Sequence, residues 1–449
     1  MNDRARTSQD ADQVMDEAID RALHGDTPLV IVNSPPGAGK TYLVECAAIA
    51  AAVGAGMRVI CLTPGVVQAY DIAERLLAYN LPRLELVHAK HRETPARLSG
   101  RLTVSNGWGG ALNNGPGVIV ANAHVIAAYR NQLPSGSFDL LIVDEAYQLA
   151  ANNFLPVADL APRALMVGDP GQLPPVTSVD TSNFEAHAHP VHWALPTYLL
   201  KRFPRTPVYS LPSTRRLLPD TARVVQKAFY PDLSFASVVD PASRRLRFDV
   251  SGIHARLDPA LDALASGASI VAVVLPGASP AHEETDPELA AVMAGLVERI
   301  LVRQGTWVGT RRLGQGDIGC IDPNVLTGGA VSDRLRRAGL RDVRVDTVER
   351  WQGLEVPIAI VRHPLSRVGD PEPFDLQAGR WCVSLSRHQI GCIIVGRGSV
   401  DDVLREYVHP CDTAAAGGRD DVWSGFQAHC SIWAELQLRG RIFRMGNDS

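Results

Sequence analysis

Short apolar runs of four to six residues recur along the chain, each bounded by Gly, Pro or Asp and followed by a loop and a stretch of helical periodicity. In the first half they are Leu29–Val32, Arg58–Leu62, Gly117–Val120, Leu140–Val143 and Ala164–Val167. In the second they are Ile270–Leu275, Ile318–Ile321, Val343–Val345, Pro357–Val361 and Ile390–Val395. Runs this short and this apolar are strands buried on both faces, and their alternation with helices predicts parallel sheets of the α/β class. Ten such strands exceed one comfortable sheet, so the pattern predicts two α/β domains, 1–205 and 206–449. The division falls near Lys201–Pro207, where Pro and Arg interrupt the periodicity. Ser105–Pro116 (SNGWGGALNNGP) and Ala414–Asp421 read as loops.

Composition sharpens this picture. With 449 residues, 46% hydrophobic and 20% charged, the chain can bury a core and is not a disordered one. Its 44 Lys+Arg against 48 Asp+Glu give a net charge of −4, which excludes a basic nucleic-acid coat; any nucleic acid would sit in a local groove. Only Lys40, Lys90, Lys201 and Lys227 are lysines, so a lysine at a chemically meaningful place is not there by abundance. The seven cysteines are odd in number and form no CxxC pair, which argues against a disulfide framework or a zinc ribbon and fits a reducing compartment. No apolar signal core follows the N-terminal residues, and the longest apolar stretch, Leu43 to Leu62, is broken by Glu45 and Arg58. A soluble, cytoplasmic protein without a membrane span is expected.

The first candidate chemistry follows the strand at Leu29–Val32. Asn33-Ser-Pro-Pro-Gly-Ala-Gly-Lys-Thr41 leads into a helical pattern, giving a strand, a Gly-rich loop and a helix. The amides of Ser34, Pro35, Pro36, Gly37, Ala38 and Gly39 (those that have one) can wrap a phosphate chain at a helix N-terminus. Lys40 brings a point charge to the β/γ-phosphates, and Thr41 offers a hydroxyl to Mg²⁺. Ser34 stands where a phosphate loop usually begins with Gly. The second candidate is Leu140-Leu-Ile-Val-Asp-Glu145, an apolar strand ending in two carboxylates. Asp144 can hold Mg²⁺ and Glu145 can activate the attacking water. Together these point to hydrolysis of ATP or GTP.

Further segments narrow the class. Gly168-Asp-Pro-Gly-Gln-Leu-Pro-Pro175 follows a third strand, and its Gln172 can report on a γ-phosphate. Arg215-Arg216 lies in Leu211–Pro219, with Phe229-Tyr230 downstream. Val345–Glu355 and Arg380–Arg387 complete the second half. In order and wording these segments, over nearly the whole chain, resemble superfamily 1 helicases, in the branch that contains the up-frameshift RNA helicase. Ser34–Thr41 is similar to that family's motif I, Thr63-Pro64 to Ia, Asp144-Glu-Ala-Tyr-Gln148 to II and Gly168–Pro175 to III. Leu211–Tyr230 is similar to motif IV, Gln352–Glu355 to V and Val383-Ser-Leu-Ser-Arg387 to VI.

The resemblance implies two tandem RecA-like P-loop domains with ATP·Mg²⁺ in the cleft between them, and single-stranded DNA or RNA as partner, traversed 5′ to 3′. It implies roles for Arg216 and Arg387 as arginine fingers on the γ-phosphate, for Gln172 as a coupling residue and for Glu355 near the ribose. Thr63, Pro64, Asn122 and Thr347 would touch the strand's backbone, and Gln13 and Gln9, ahead of motif I, are the candidates to read adenine. The sequence departs from the family at Asn122, which replaces a Thr, and at Pro323-Asn-Val-Leu-Thr327, where an aromatic and an amide are missing. The region of about 85–116, which includes Lys90 and Arg97, would be a small insertion, and Trp423, Phe426 and Trp433 a packing helix. Two functions fit: a translocating motor, or a nucleic-acid-stimulated ATPase switch or clamp that does not unwind, working inside a larger protein assembly.

Overall fold

Each of the ten apolar runs coincides to within about two residues with a strand of the computed structural model, which describes residues 3–106, 115–176, 181–184, 187–251, 256–277, 285–367, 369–408 and 421–446. Residues 107–114 of the expected loop Ser105–Pro116 and 414–420 of the second expected loop lie outside those described. The chain divides into two units, Met1–Ser213 and Thr214–Ser449. The division falls beyond the expected 205/206 because Val208–Ser210, a three-residue strand, pairs in parallel with Leu29–Asn33 (Ile31 opposite Val208) and so belongs to the first unit. No helix among the described residues is long and apolar enough to cross a membrane.

The first unit is an eight-stranded sheet. Its strands are β1 (Leu29–Asn33), β2 (Arg58–Thr63), β3 (Leu84–His88), β4 (Thr103–Asn106), β5 (Gly117–Asn122), β6 (Leu140–Val143), β7 (Ala164–Gly168) and β8 (Val208–Ser210). They lie in the order β4-β3-β5-β2-β6-β7-β1-β8, and every pairing is parallel. Side chains alternate between two cores: Val30, Val32, Val59 and Cys61 face one, Ile31, Ile60 and Leu62 the other. Both faces are therefore covered, as a parallel sheet requires. The region expected as a small insertion supplies β3 and β4 and extends the sheet by two strands. Arg97 of that region pairs with Asp71 (2.6 Å) and Glu74 (3.3 Å) of the unit itself.

Helix α1 (Asp3–His24) precedes β1, and its buried Ala11, Met15, Ala18, Ile19 and Ala22 recur every three or four residues along one face. Helix α2 (Lys40–Ile49) follows β1 directly through the Gly-rich loop.

The second unit contains a six-stranded sheet in the order Arg344–Asp346, Ile318–Ile321, Val356–Arg362, His388–Arg397, Ile270–Leu275, Ile442–Arg444, again parallel throughout. The C-terminal helix Asp421–Leu438 buries Phe426 and Trp433, as expected of a packing helix, whereas Trp423 is exposed and stacks on Phe426 (5.6 Å). Trp433 and Trp381 close around His363 and His429, with ring centroids 4.9–5.1 Å apart. The α/β class and the parallel sheets agree with the sequence reading.

Candidate nucleotide-binding site

The strand order decides which side chains meet in the first unit. β7 is inserted between β1, which delivers the Gly-rich loop, and β6, which delivers the two carboxylates. The carboxyl ends of three adjacent strands thus bring Lys40, Asp144-Glu145 and Asp169 to one place, where ligands of open parallel sheets bind. Ser34 N–H donates to Gly168 O (2.8 Å), pinning the start of the loop to the end of β7. Gly37 (φ 74°) and Gly39 (φ 98°) take left-handed conformations that a side chain would strain, and Gly39 then starts α2. Gly168 is needed for another reason: a Cβ there would lie 2.9 Å from the Tyr147 ring. Tyr147 is itself tied by its hydroxyl to Asn33 Oδ1 (2.8 Å), the residue before the loop.

Lys40 forms an ion pair with Glu145. Burial by itself would lower the Lys40 pKa, but the charges of Glu145, Asp144 and Asp169 outweigh it and the ammonium is held more firmly than usual. Burial, reinforced by Glu145 and opposed by Lys40, pushes the Asp144 carboxyl up to about 7. Its Oδ1 also accepts from the Glu145 N–H (2.8 Å). Glu145 adopts φ 52°, ψ 41°, a left-handed conformation uncommon for a residue with a long side chain. One cation among three carboxylates leaves a negative cradle beside a phosphate loop, an arrangement that calls for a divalent cation. Thr41, half-buried in the first turn of α2, and Asp144 are the two residues the sequence reading expects to hold it.

Other expected residues fall differently. Gln13 is exposed on α1 and donates to Glu17 Oε1 (2.8 Å), so its amide is engaged away from the loop. The α1 side chain that does face the loop is Met15, whose methyl lies 3.2 Å from the point a Cβ on Gly39 would occupy. Gln172 donates to Asp169 Oδ2 (2.7 Å), leaving its Oε1 and the buried Ser34 Oγ without a hydrogen-bond partner. Thr63 and Asn122 stand opposite each other at the ends of β2 and β5, next to Pro64. The Thr63 hydroxyl is turned inward, donating to Gly65 O (2.7 Å), and Asn122 Oδ1 caps the next helix by accepting from Val125 N–H (2.8 Å). The Asn122 NH₂ and the nearby backbone are not used by these bonds.

In the second unit, Arg216, Glu355 and Arg387 come together. Arg216 Nε donates to Glu355 Oε2 (2.7 Å) and its Nη1 to Ser386 O (3.4 Å). Gln389 takes the other Glu355 oxygen (2.7 Å). Burial raises the Glu355 pKa, but Arg216, Gln389 and Arg244 outweigh it, and the carboxyl stays below its ordinary range. Glu355 therefore anchors Arg216 in this structure. Arg387 is buried, with Nε on Val383 O (3.1 Å), Nη1 on Leu354 O (3.4 Å) and Nη2 on Ser386 Oγ (2.9 Å). Thr347 lies at the end of the strand Arg344–Asp346, its N–H on Asp346 Oδ1 (3.1 Å). Sequence reasoning missed Asp169, Tyr147 and Gln389. Asp169 and Tyr147 carried a signal, each lying inside a quoted motif after an apolar strand, and Gln389 carried none.

A family model described as the AAA domain matches residues 10–192, so the first unit is an AAA-type P-loop domain, in line with the resemblance read from the motifs. No curated protein matches the chain. Among solved structures, the helicase of the virus PRRSV aligns with 13% identity over 86% of this chain and 54% of its own (TM-score 0.40). The DNA complex of the arterivirus helicase, nonstructural protein 10, aligns with 15% identity over 86% of this chain and 63% of its own (TM-score 0.41). The chain thus spans less than two thirds of either viral protein. Saccharomyces cerevisiae Dbp5, bound to RNA and ADP BeF3, aligns with 13% identity over 96% and 89% of the two chains (TM-score 0.40).

Proposed function

We propose that this chain, an AAA-type P-loop protein over residues 10–192, is a superfamily 1 helicase-type ATPase that couples hydrolysis to 5′-to-3′ movement along single-stranded DNA or RNA. The observation that carries the reading is the Lys40–Glu145 ion pair at the mouth of the Gly-rich loop, flanked by Asp144 and Asp169. It joins a phosphate-binding cation to the group best suited to take a proton from water. When Mg²⁺ is bound through Thr41 and Asp144, it supplies charge that offsets the phosphates. Lys40 exchanges Glu145 for the phosphate oxygens, and Glu145, once released, orients and deprotonates the water. Arg216 and Arg387 are the candidate source of transition-state charge, as the family resemblance implies. Turns after β2 and β5, with Thr347 of the second unit, would hold the strand's backbone through amides and the Asn122 NH₂. The cysteine pattern supports a reducing, cytoplasmic setting.

A non-unwinding clamp is the second reading, favoured by one observation. In the altered stretch Pro323–Thr327, Asn324 stands where the family has an aromatic and merely caps the helix Val325–Arg337, accepting from Leu326 and Thr327 N–H, while Thr327, in the place of the amide, is buried and accepts from Arg362 Nη1 (3.2 Å). ATPase assays with single-stranded DNA and RNA of equal length, followed by streptavidin displacement from strands biotinylated at one end, separate the readings. Stimulated hydrolysis with ATP-driven release from the 3′ end supports the motor. Stimulation with release from neither end supports the clamp, release from the 5′ end reverses the polarity, and no hydrolysis at all refutes both.

A further inference from the structure

Behind Arg216 and Arg387 the second unit holds a run of buried polar side chains that phosphate chemistry does not use. It begins at the turn after the C-terminal helix, where Arg439 and Arg441 both pair with Asp220. Asp220 Oδ2 accepts from Ser269 N–H (3.1 Å) and Oγ (3.2 Å). Ser269 Oγ lies 2.7 Å from Thr221 Oγ1 and accepts from Thr221 N–H (3.1 Å). Thr221 Oγ1 lies 3.0 Å from His388 Nε2. Thr221, Ser269 and His388 are wholly buried.

The donors can be ordered. A carboxylate only accepts, so Ser269 donates to Asp220, Thr221 donates to Ser269, and His388 donates through Nε2–H to Thr221. His388 is neutral in this order, in keeping with the downward pKa shift that burial and Arg216 give it. The run ends on the residue that follows Arg387. One residue earlier, Ser386 accepts Arg216 on its carbonyl and Arg387 on its hydroxyl. The backbone at 386–388 is thus gripped on one side by the two arginines and on the other by the run. Apolar side chains would fill this interior at lower desolvation cost, so a continuous polar run here acts by fixing geometry.

We infer that Thr221, Ser269 and His388 are positioning residues that set the 386–388 backbone, and with it Arg216 and Arg387, from the anchor of Arg439 and Arg441 on Asp220. The inference rests on the reading that these arginines serve ATP hydrolysis. A displacement of well under an ångström propagated to them lowers turnover without changing how ATP is held by the first unit.

The test compares full-length wild type with Thr221→Val, which keeps the shape and removes the hydroxyl, and Thr221→Ser, which keeps the hydroxyl. Steady-state ATPase gives kcat and KM at a temperature well below the melting point of each variant, melting being measured separately. The Val variant is expected to lose about tenfold in kcat with KM within about twofold, and the Ser variant to recover wild-type kcat. If the Val variant does not fold, Ser269→Ala serves in its place with the same expectation. Unchanged kcat with a lowered melting point means the run is merely structural and overturns the inference. So does a Ser variant as slow as the Val one. A wild type that hydrolyses no ATP removes the ATPase reading itself, a result distinct from variants that match an active wild type.

Discussion

Glu145→Gln is predicted to bind ATP more tightly while losing its hydrolysis. With all groups ionised, the cradle holds one positive charge, Lys40, against three negative ones, Asp144, Glu145 and Asp169. The amide preserves the shape and leaves two. At a separation of about 5 Å and an effective dielectric of about 20, one contact between unit charges amounts to about 3 kcal/mol. Mg²⁺ and mobile ions screen much of this, so about a third, ~1 kcal/mol or roughly fivefold in affinity, is a reasonable expectation. Release of Lys40 from its partner acts in the same direction. Loss of Glu145's charge also removes one cause of Asp144's elevated pKa, so the variant should bind Mg²⁺ at lower pH. Loss of the general base costs at least about 10²-fold in turnover. Titration with a fluorescent ATP analogue, with and without Mg²⁺, and phosphate release measure the two effects. Weaker nucleotide binding by the variant, or turnover at the wild-type rate, would refute the reasoning.

Three further predictions concern the second unit. His388 and His429, both shifted by burial to about 3 against an ordinary 6.5, bind protons in the unfolded chain but not in the folded one as pH falls below 6.5. Stability is fully present above pH 6.5 and falls by about 1.4 kcal/mol per pH unit for each, or about 4 kcal/mol together by pH 5. His363, lowered well below its usual value, adds to the loss, and the raised Asp322, with Asp144 of the first unit at about 7, opposes it. Urea unfolding read by tryptophan fluorescence should show this decline, with a shallower slope in His388→Gln; a flat profile between pH 7 and 5 would contradict it. Arg387→Ala should cut turnover about 10²-fold and, by stripping bonds from Val383 O, Leu354 O and Ser386 Oγ, also destabilise the unit by about 1–3 kcal/mol. An unchanged melting point would mean those bonds contribute nothing. Gly425→Ala would put a Cβ 1.5 Å from Leu376 O, so the C-terminal helix must move, at a cost of about 3 kcal/mol or more, visible as a lower melting temperature and faster proteolysis. Wild-type resistance to both would count against that packing.

The parts of this structure that were legible in the sequence share one property: their signal is local. Nine of the ten apolar runs are strands buried on both faces, the edge strand Arg344–Asp346 being the exception, and Lys40 is conspicuous because lysine is scarce. The missed strands have no such run. β3 carries the buried Glu85, paired with Arg83 and hydrogen-bonded by the Ser105 hydroxyl of β4, and β8 has only three residues, two of them exposed. Partnerships were illegible for a related reason. Glu355 anchors Arg216 from 139 residues away, and Asn33 meets Tyr147 across 114, pairings that only sheet register can make. The hydrogen bond from Gln13 to Glu17 was likewise illegible, because an amide ahead of the loop is a matter of spacing, whereas its direction depends on which face of α1 is buried.

Glu145's left-handed backbone bears on any attempt to engineer this protein. Holding a non-glycine residue there costs on the order of 1–3 kcal/mol, a penalty that Gly escapes and Asn largely avoids. A library selected for heat tolerance alone would therefore enrich those residues at 145 and yield robust proteins that bind nucleotide and do nothing with it. Directed evolution of this chain needs an activity screen in every round, since a position that rewards stabilisation is also the one to which the proposed function gives the activation of water.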